Sequence, residues 1–222
     1  MLRSKRIWAA LLGMIFWAAP SVDAGQISYS ATAPLTATDF ETSLTIPKFD
    51  PNLGVLDKVT ISLTGQVAGN AMFESMDSEA SIVTMQLAAQ IELSRPDMTS
   101  LVAVLPMVTT VDNASPFDSV IDFVGPSGKS HLGLGAASTV MSMTTSPADL
   151  ALFTGPGTIS LPLTAMGTSS ASGAGNLLLL FNTFASAEAE ITYDYTLPEP
   201  STCCLLCIGA LLVRRRTRRC RP

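Results

Sequence analysis

The chain has 222 residues, 47% hydrophobic and only 14% charged, with 4 cysteines and 1 histidine. Its net charge is −5, but residues 25–199 alone hold seventeen carboxylates against four cations (Lys48, Lys58, Arg95 and Lys129), a balance near −13. A surface so acidic repels polyanions, which excludes nucleic acid as a partner.

Arg3, Lys5 and Arg6 form a positive start, followed by the apolar run Ile7 to Ala19 and small residues at Val22-Asp23-Ala24. This order predicts a signal peptide, residues 1–24, cut after Ala24. The apolar run falls short of the ~20 residues of a spanning helix.

Beyond it, period-two alternation and β-branched runs dominate and helical periodicity is nearly absent. Strands are predicted at 26–33, 36–46, 59–65, 70–75, 81–93, 101–111, 138–144, 157–165, 176–185 and 189–195. Phe49-Asp50-Pro51-Asn52, Gly125-Pro126-Ser127-Gly128 and Gly155-Pro156-Gly157 read as turns between them. One short helix is expected over Pro147 to Phe153, with Pro147 in its first turn and Ser146 as N-cap. So many short strands cannot cover their apolar faces in one sheet. The expected fold is all-β, a single antiparallel β-sandwich of Greek-key or jelly-roll type over residues 25–196. Ile61, Leu63, Val83, Met85, Leu87, Val102, Ile159, Leu161, Leu178 and Leu180 should face inward. The first and last strands, both carrying tyrosines, should lie side by side.

The C-terminal segment, residues 197–222, has three parts. Pro198-Glu199-Pro200 precedes the apolar stretch Ser201 to Val213, which reads as a short hydrophobic helix, and the basic cluster Arg214, Arg215, Arg216, Arg218 and Arg219 follows. Positive charge behind an apolar stretch retains that end on the cytoplasmic side. All four cysteines, Cys203, Cys204, Cys207 and Cys220, lie in this segment, where no histidine accompanies them; they read as membrane-packing residues, with reversible lipidation as an alternative. The segment resembles the PEP-CTERM sorting signal of Gram-negative bacteria, although its apolar stretch is shorter than is usual there. The resemblance implies export by the Sec machinery, transient membrane insertion through the C-terminal segment and cleavage by an exosortase.

A second resemblance covers roughly residues 28–196. Phe49-Asp50-Pro51-Asn52-Leu53-Gly54, Val59 to Gly65, Asp122-Phe123 with Gly125 and Gly128, and Ala148 to Gly155 resemble the choice-of-anchor E domain. That family implies an exported β domain carried on alternative anchors. It supplies no catalytic residues.

Chemical motifs are sparse. Gly125 to Ser130 ends in the Gly-Lys-Ser of a phosphate loop, but Phe123 stands where the first glycine belongs and Pro126 lacks an N–H. His131 has no Gly-x-Ser-x-Gly and no cysteine nucleophile outside the tail to serve. Asp112, Asp118 and Asp122 could gather around Ca²⁺, though EF-hand spacing is missing and acidic loops are commonly just solvated. Asn113-Ala114-Ser115 matches a glycosylation acceptor, which is uninformative in a bacterial export context. Sugar recognition favours aromatic platforms; Trp8 and Trp17 fall in the signal peptide, leaving Tyr29, Tyr193 and Tyr195, while Phe40, Phe73, Phe117, Phe123, Phe153, Phe181 and Phe184 read as core.

No catalytic residue, cofactor or metal is therefore expected. The sequence points to a non-enzymatic structural protein of the cell envelope or extracellular matrix in a Gram-negative bacterium, with exopolysaccharide as a further partner. The alternative is a carbohydrate-binding or adhesin module.

Overall fold

The computed structural model describes residues 24–197. The predicted signal peptide apart from its last residue, Ala24, and Pro198-Glu199-Pro200, the apolar stretch and the arginine cluster lie outside the described residues. The described residues form one compact unit. Among them, no helix is long and apolar enough to cross a membrane.

Ten strands and one helix follow in order: β1 (Ala24–Ala37), β2 (Phe40–Pro47), β3 (Val55–Ser75), β4 (Ser81–Ser94), β5 (Ser100–Val104), β6 (Met107–Ala114), β7 (Gly128–Thr144), α1 (Pro147–Phe153), β8 (Thr158–Gly167), β9 (Ser170–Ser172) and β10 (Leu177–Thr196). One sheet runs β1-β10-β3-β7 and the other β2-β8-β4-β5, with β6 and β9 also on β4. All strand pairs are antiparallel, so the all-β sandwich expectation holds.

Two runs read as separate strands are continuous. β3 crosses Gly65 without a break because the glycine there serves packing rather than a turn. A Cβ on Gly65 would lie 2.6 Å from Val104 Cγ1 and 2.8 Å from Ile91 Cδ1, both on the facing sheet. β10 likewise absorbs both predicted C-terminal strands. Residues 101–111, expected as one strand, divide into β5 and β6 around Leu105-Pro106, since proline has no N–H for a ladder. β7 begins ten residues ahead of its predicted start, at Gly128, because its glycine-rich first half reads as a loop.

At ~3.3 Å per residue, β3's 21 residues span about 70 Å. Two apolar cores lie end to end along it. The larger gathers Leu44, Ile46, Val59, Ile61, Leu63, Leu87, Ile91, Leu93, Leu161, Leu163, Ile191 and Tyr193 among others. The smaller holds Ala71, Phe73, Val83, Met85 and Ala114, and Leu134 and Phe181 pack against both.

Eight of the ten expected core residues are buried: Ile61, Leu63, Val83, Met85, Leu87, Val102, Ile159 and Leu161. Leu178 and Leu180 are not; they are 39% and 44% exposed. Odd residues of β10 face inward from Ala185 to Tyr193, and no register shift separates them from Leu177. Leu178 and Leu180 therefore stand opposite Glu74 and Met72 on the outer face. Phe184 is exposed by the same parity.

The first and last strands do pair, from Ala24 with Thr196 through Ile27 with Tyr193 to Ala33 with Ala187. An aromatic cluster fills this end. Tyr193, fully buried, lies 6.1 Å from Tyr29, 6.0 Å from Phe49 and 6.2 Å from Phe153 between ring centroids. Its hydroxyl donates to Pro47 O at 2.9 Å.

Helix α1 closes the same end, with Phe153 buried and Pro147 in its first turn. Ser146 takes the N-cap position but its side chain makes no capping bond. Asp149, three residues on, instead accepts from Thr144 Oγ1 at 2.7 Å and pairs with Arg95, tying α1 to the turn after β4.

Burial, and secondarily the Tyr29 phenol, pushes the Tyr193 phenol well above its ordinary value. Above about pH 10 the unfolded chain sheds this proton while the folded one keeps it. The stability it contributes is complete below that pH and is lost as pH rises further. Tyr193→Phe should therefore flatten the alkaline decline in melting temperature, while costing ~1 kcal/mol at neutral pH for the lost hydrogen bond. An unchanged alkaline slope would place the responsible group elsewhere.

Candidate functional site

The residues with chemical potential gather at the end of the sandwich far from the paired termini. There β3 ends at Ser75, β7 begins at Gly128, and the connection 115–127 folds between β6 and β7. Backbone bonds anchor that connection: Ser75 N–H to Ser127 O at 2.9 Å, Ser115 N–H to Pro126 O at 2.8 Å, and Phe117 N–H to Asp77 O at 2.8 Å.

Glu74 lies beneath it. Its side chain projects from the outer face, where strand alternation predicts solvent, yet the residue is 0% exposed. Oε2 accepts the Phe123 N–H at 2.8 Å, and Oε1 has no partner among the described residues. Phe123, at φ +58°, is held a second time through its carbonyl, which accepts from Ser130 Oγ at 2.8 Å. Gly128, opposite Glu74 in the ladder, leaves the room: a Cβ there would stand 2.3 Å from Glu74 Oε2. The sequence held one signal of this, a lone carboxylate in the run Ala71 to Ser75, but nothing in it placed a loop over that carboxylate.

Gly128→Val should expel the Glu74 carboxylate. The expected cost is about 1–3 kcal/mol, with faster amide exchange at Phe123 and Val124 than in the parent. Unaltered exchange there would mean the loop is held by other contacts.

His131 and Asp112 are brought together. His131 stands opposite Ala71 and so faces inward from β7, where its Nε2 lies 2.6 Å from Asp112 Oδ2 on β6. The pair bridges the two sheets at their open seam. An imidazole held by a carboxylate is the base and orienting half of a nucleophilic triad. The neighbouring Ser130 hydroxyl is committed to the Phe123 carbonyl, so it does not supply the third member.

The three aspartates do not converge. Asp112 is taken by His131, while Asp118 and Asp122 each accept through Oδ1 from the amide two residues ahead, Val120 and Val124, at 2.9 and 3.0 Å. Among the described residues, no three His, Cys, Asp or Glu side chains gather as a metal would require. Gly128 to Ser130 open a strand, not a helix, so the Gly-Lys-Ser run lacks the helix N-terminus that binds phosphate. Tyr193 is interior, and Tyr29 and Tyr195 are part-buried against the core.

No family model matches the chain, and no curated protein matches it. Among solved structures it is similar to the VP2 subviral particle of infectious bursal disease virus, at 14% identity and a TM-score of 0.21, over 96% of this chain and 54% of that one. The Gx strain of the same virus matches at 13% identity and a TM-score of 0.16, over 96% of this chain and 53% of that one. The chain thus spans about half the length of the viral chains it matches. Superpositions this loose do not establish a shared fold, and the functional reading rests on this chain's own residues.

Proposed function

We propose that this protein is an exported structural component of the cell surface or extracellular matrix, delivered through a PEP-CTERM-like signal and processed by an exosortase, with no catalytic activity of its own. The observation that carries the reading is the pairing of the first strand with the last, which in the protein freed of residues 1–24 begins with Gly25 opposite Tyr195. The domain's two ends meet at one end of the sandwich, and Pro198-Glu199-Pro200 follows one residue after Leu197. A sorting segment that follows there would tether the domain by the end of its last strand, β10. The acidic charge of residues 25–199 suits a soluble displayed domain.

Processing tests it directly. Intact-mass analysis of the exported protein should show loss of residues 1–24 and of Arg214 to Arg219, with a cut near Pro198-Glu199-Pro200. A mature protein that retains the arginine cluster would make the segment a plain anchor and remove the exosortase from the proposal. A glycan array addresses the carbohydrate-binding alternative. With Tyr193 interior and both tryptophans in the leader, no glycan should be retained selectively. Selective low-micromolar binding would replace the structural role with a lectin-like one.

A further inference from the structure

We propose that the free edge of β7 pairs antiparallel with the β7 edge of a second copy, joining two sandwiches through one continuous sheet. β7 is an outer strand of its sheet, hydrogen-bonded to β3 on one side only. From Leu134 to Thr144 it runs opposite Gly69 to Val59 without a register shift. Those eleven residues include no charge and no proline. Natural sheets guard such edges with charges, prolines, bulges or short strands, because a row of unpaired N–H and C=O groups accepts another strand.

Four other edge strands carry such guards. β1 has Pro34 and a register shift after Ala33. β2 has Glu41 and Pro47, β5 is five residues long, and β6 carries Asp112. The upper part of β7 is guarded too, by the irregularity at Gly133, whose N–H donates to Asn70 Oδ1 at 2.9 Å. Among the described residues, the stretch from Leu134 onward lacks a guard, as does the shorter β10 run from Leu177 to Thr183, which β1 does not reach.

Two features single out a second copy as the occupant. The first is charge. A domain near −13 repels its own copies, so they can approach only along a neutral strip. The outer face beside β7 presents Thr60, Ser62, Thr64 and Gln66 on β3, while Glu188, Glu190 and Asp194 stand further away on β10. The second is size. The stretch is small at one end (Gly135, Ala136, Ala137) and large at the other (Val140, Met141, Met143). An antiparallel pairing of two identical strands about Thr139 sets Met141 against Ala137 and Met143 against Gly135 of the other copy, so large meets small along the outer face. Met141 and Met143, 67% and 71% exposed in the single copy, would be covered. Such a contact is isologous and closes at two copies.

The test is sedimentation velocity on the full chain in mild detergent over a range of concentrations. The wild type should dimerise reversibly, more tightly as salt rises, since salt screens the repulsion between two acidic domains. Amides of residues 134–144 should gain exchange protection with concentration. Thr139→Lys brings two lysines face to face at the axis and should weaken the dimer at least tenfold; Thr139 is exposed, so losing its hydroxyl contact with Thr64 Oγ1 at 2.8 Å should lower the melting temperature only slightly. Mixing Thr139→Lys with Thr139→Glu should restore a one-to-one dimer. A wild type that stays monomeric throughout overturns the proposal. So does a dimer indifferent to both substitutions, which would locate the contact elsewhere, for instance at the exposed Leu178 and Leu180.

Discussion

Ile61→Asp should leave little folded protein at 37 °C. Ile61 is 2% exposed on the inner face of β3, opposite Ile191 of β10 in the ladder and within the larger core. Truncating such a side chain costs about 2–5 kcal/mol through lost contacts and the cavity left behind. Placing an unpartnered carboxyl in the cavity adds roughly 2–7 kcal/mol. Against a total stability of about 5–15 kcal/mol, the sum approaches or exceeds what the domain has. Circular dichroism on heating, with Ile61→Val as a control expected to lose only ~1 kcal/mol, reads the difference. If Ile61→Asp melted with the parent, the inward assignment of this strand would fail.

Deleting residues 26–33 should have the next largest effect. The deletion strips most of β1 from β10, where Gln26 to Ala33 pair with Asp194 to Ala187. It removes Ile27, Tyr29 and Ala31 from the edge of the larger core together with buried Ala33. Full burial of side chains the size of Ile27 or Tyr29 is worth about 1.5–3 kcal/mol each. The ladder is lost as well, and Ile191 and Tyr193 gain a solvent-exposed flank. A marked drop in melting temperature and a change in tyrosine emission are expected, the latter readable in protein freed of residues 1–24, which holds both tryptophans. A truncated chain that kept its melting point and its emission would make the segment a loose leader.

Local alternation carried most of the fold. β4, β8 and α1 were legible because each is a single run bounded by turn residues, with one face plainly apolar, whereas the run expected over 36–46 is divided, Thr36 and Ala37 closing β1 and Phe40–Pro47 forming β2. Glycine was where the reading broke down, since it marks a turn and a close approach with the same letter. Gly65 looks like a strand end in sequence but admits Val104 and Ile91 from the facing sheet. Gly128 looks like a loop residue and makes room for Glu74. Gly69, at φ +153°, permits the β3 irregularity, because a Cβ there would lie 1.8 Å from Asn182 O. The leucine run from 177 to 180 has no internal parity, so only the distant register of Ile191 and Tyr193 could orient it.

Site chemistry was less legible, because it depends on pairings across long sequence distances. Asp112 and His131 are nineteen residues apart and meet only because β6 and β7 sit at the seam of opposite sheets. Glu74 and Phe123 are separated by forty-nine residues, and no periodicity announces a loop laid over an outward carboxylate.

The position of β10 has a mechanical consequence. It lies between β1 and β3, and its last paired residue, Thr196, is where the described chain leaves the sheet. Ladder hydrogen bonds run perpendicular to the strands. A pull applied at Thr196 and resisted at the far end of the sandwich is therefore directed along β10 and loads both flanking ladders in shear, so that many bonds must slip together instead of opening one at a time. Tension between Thr196 and Ser75 should meet a high rupture force in single-molecule pulling, and tension between Ala24 and Thr196, which peels β1 bond by bond, a much lower one. A domain tethered at Thr196 would then bear load through its strongest direction.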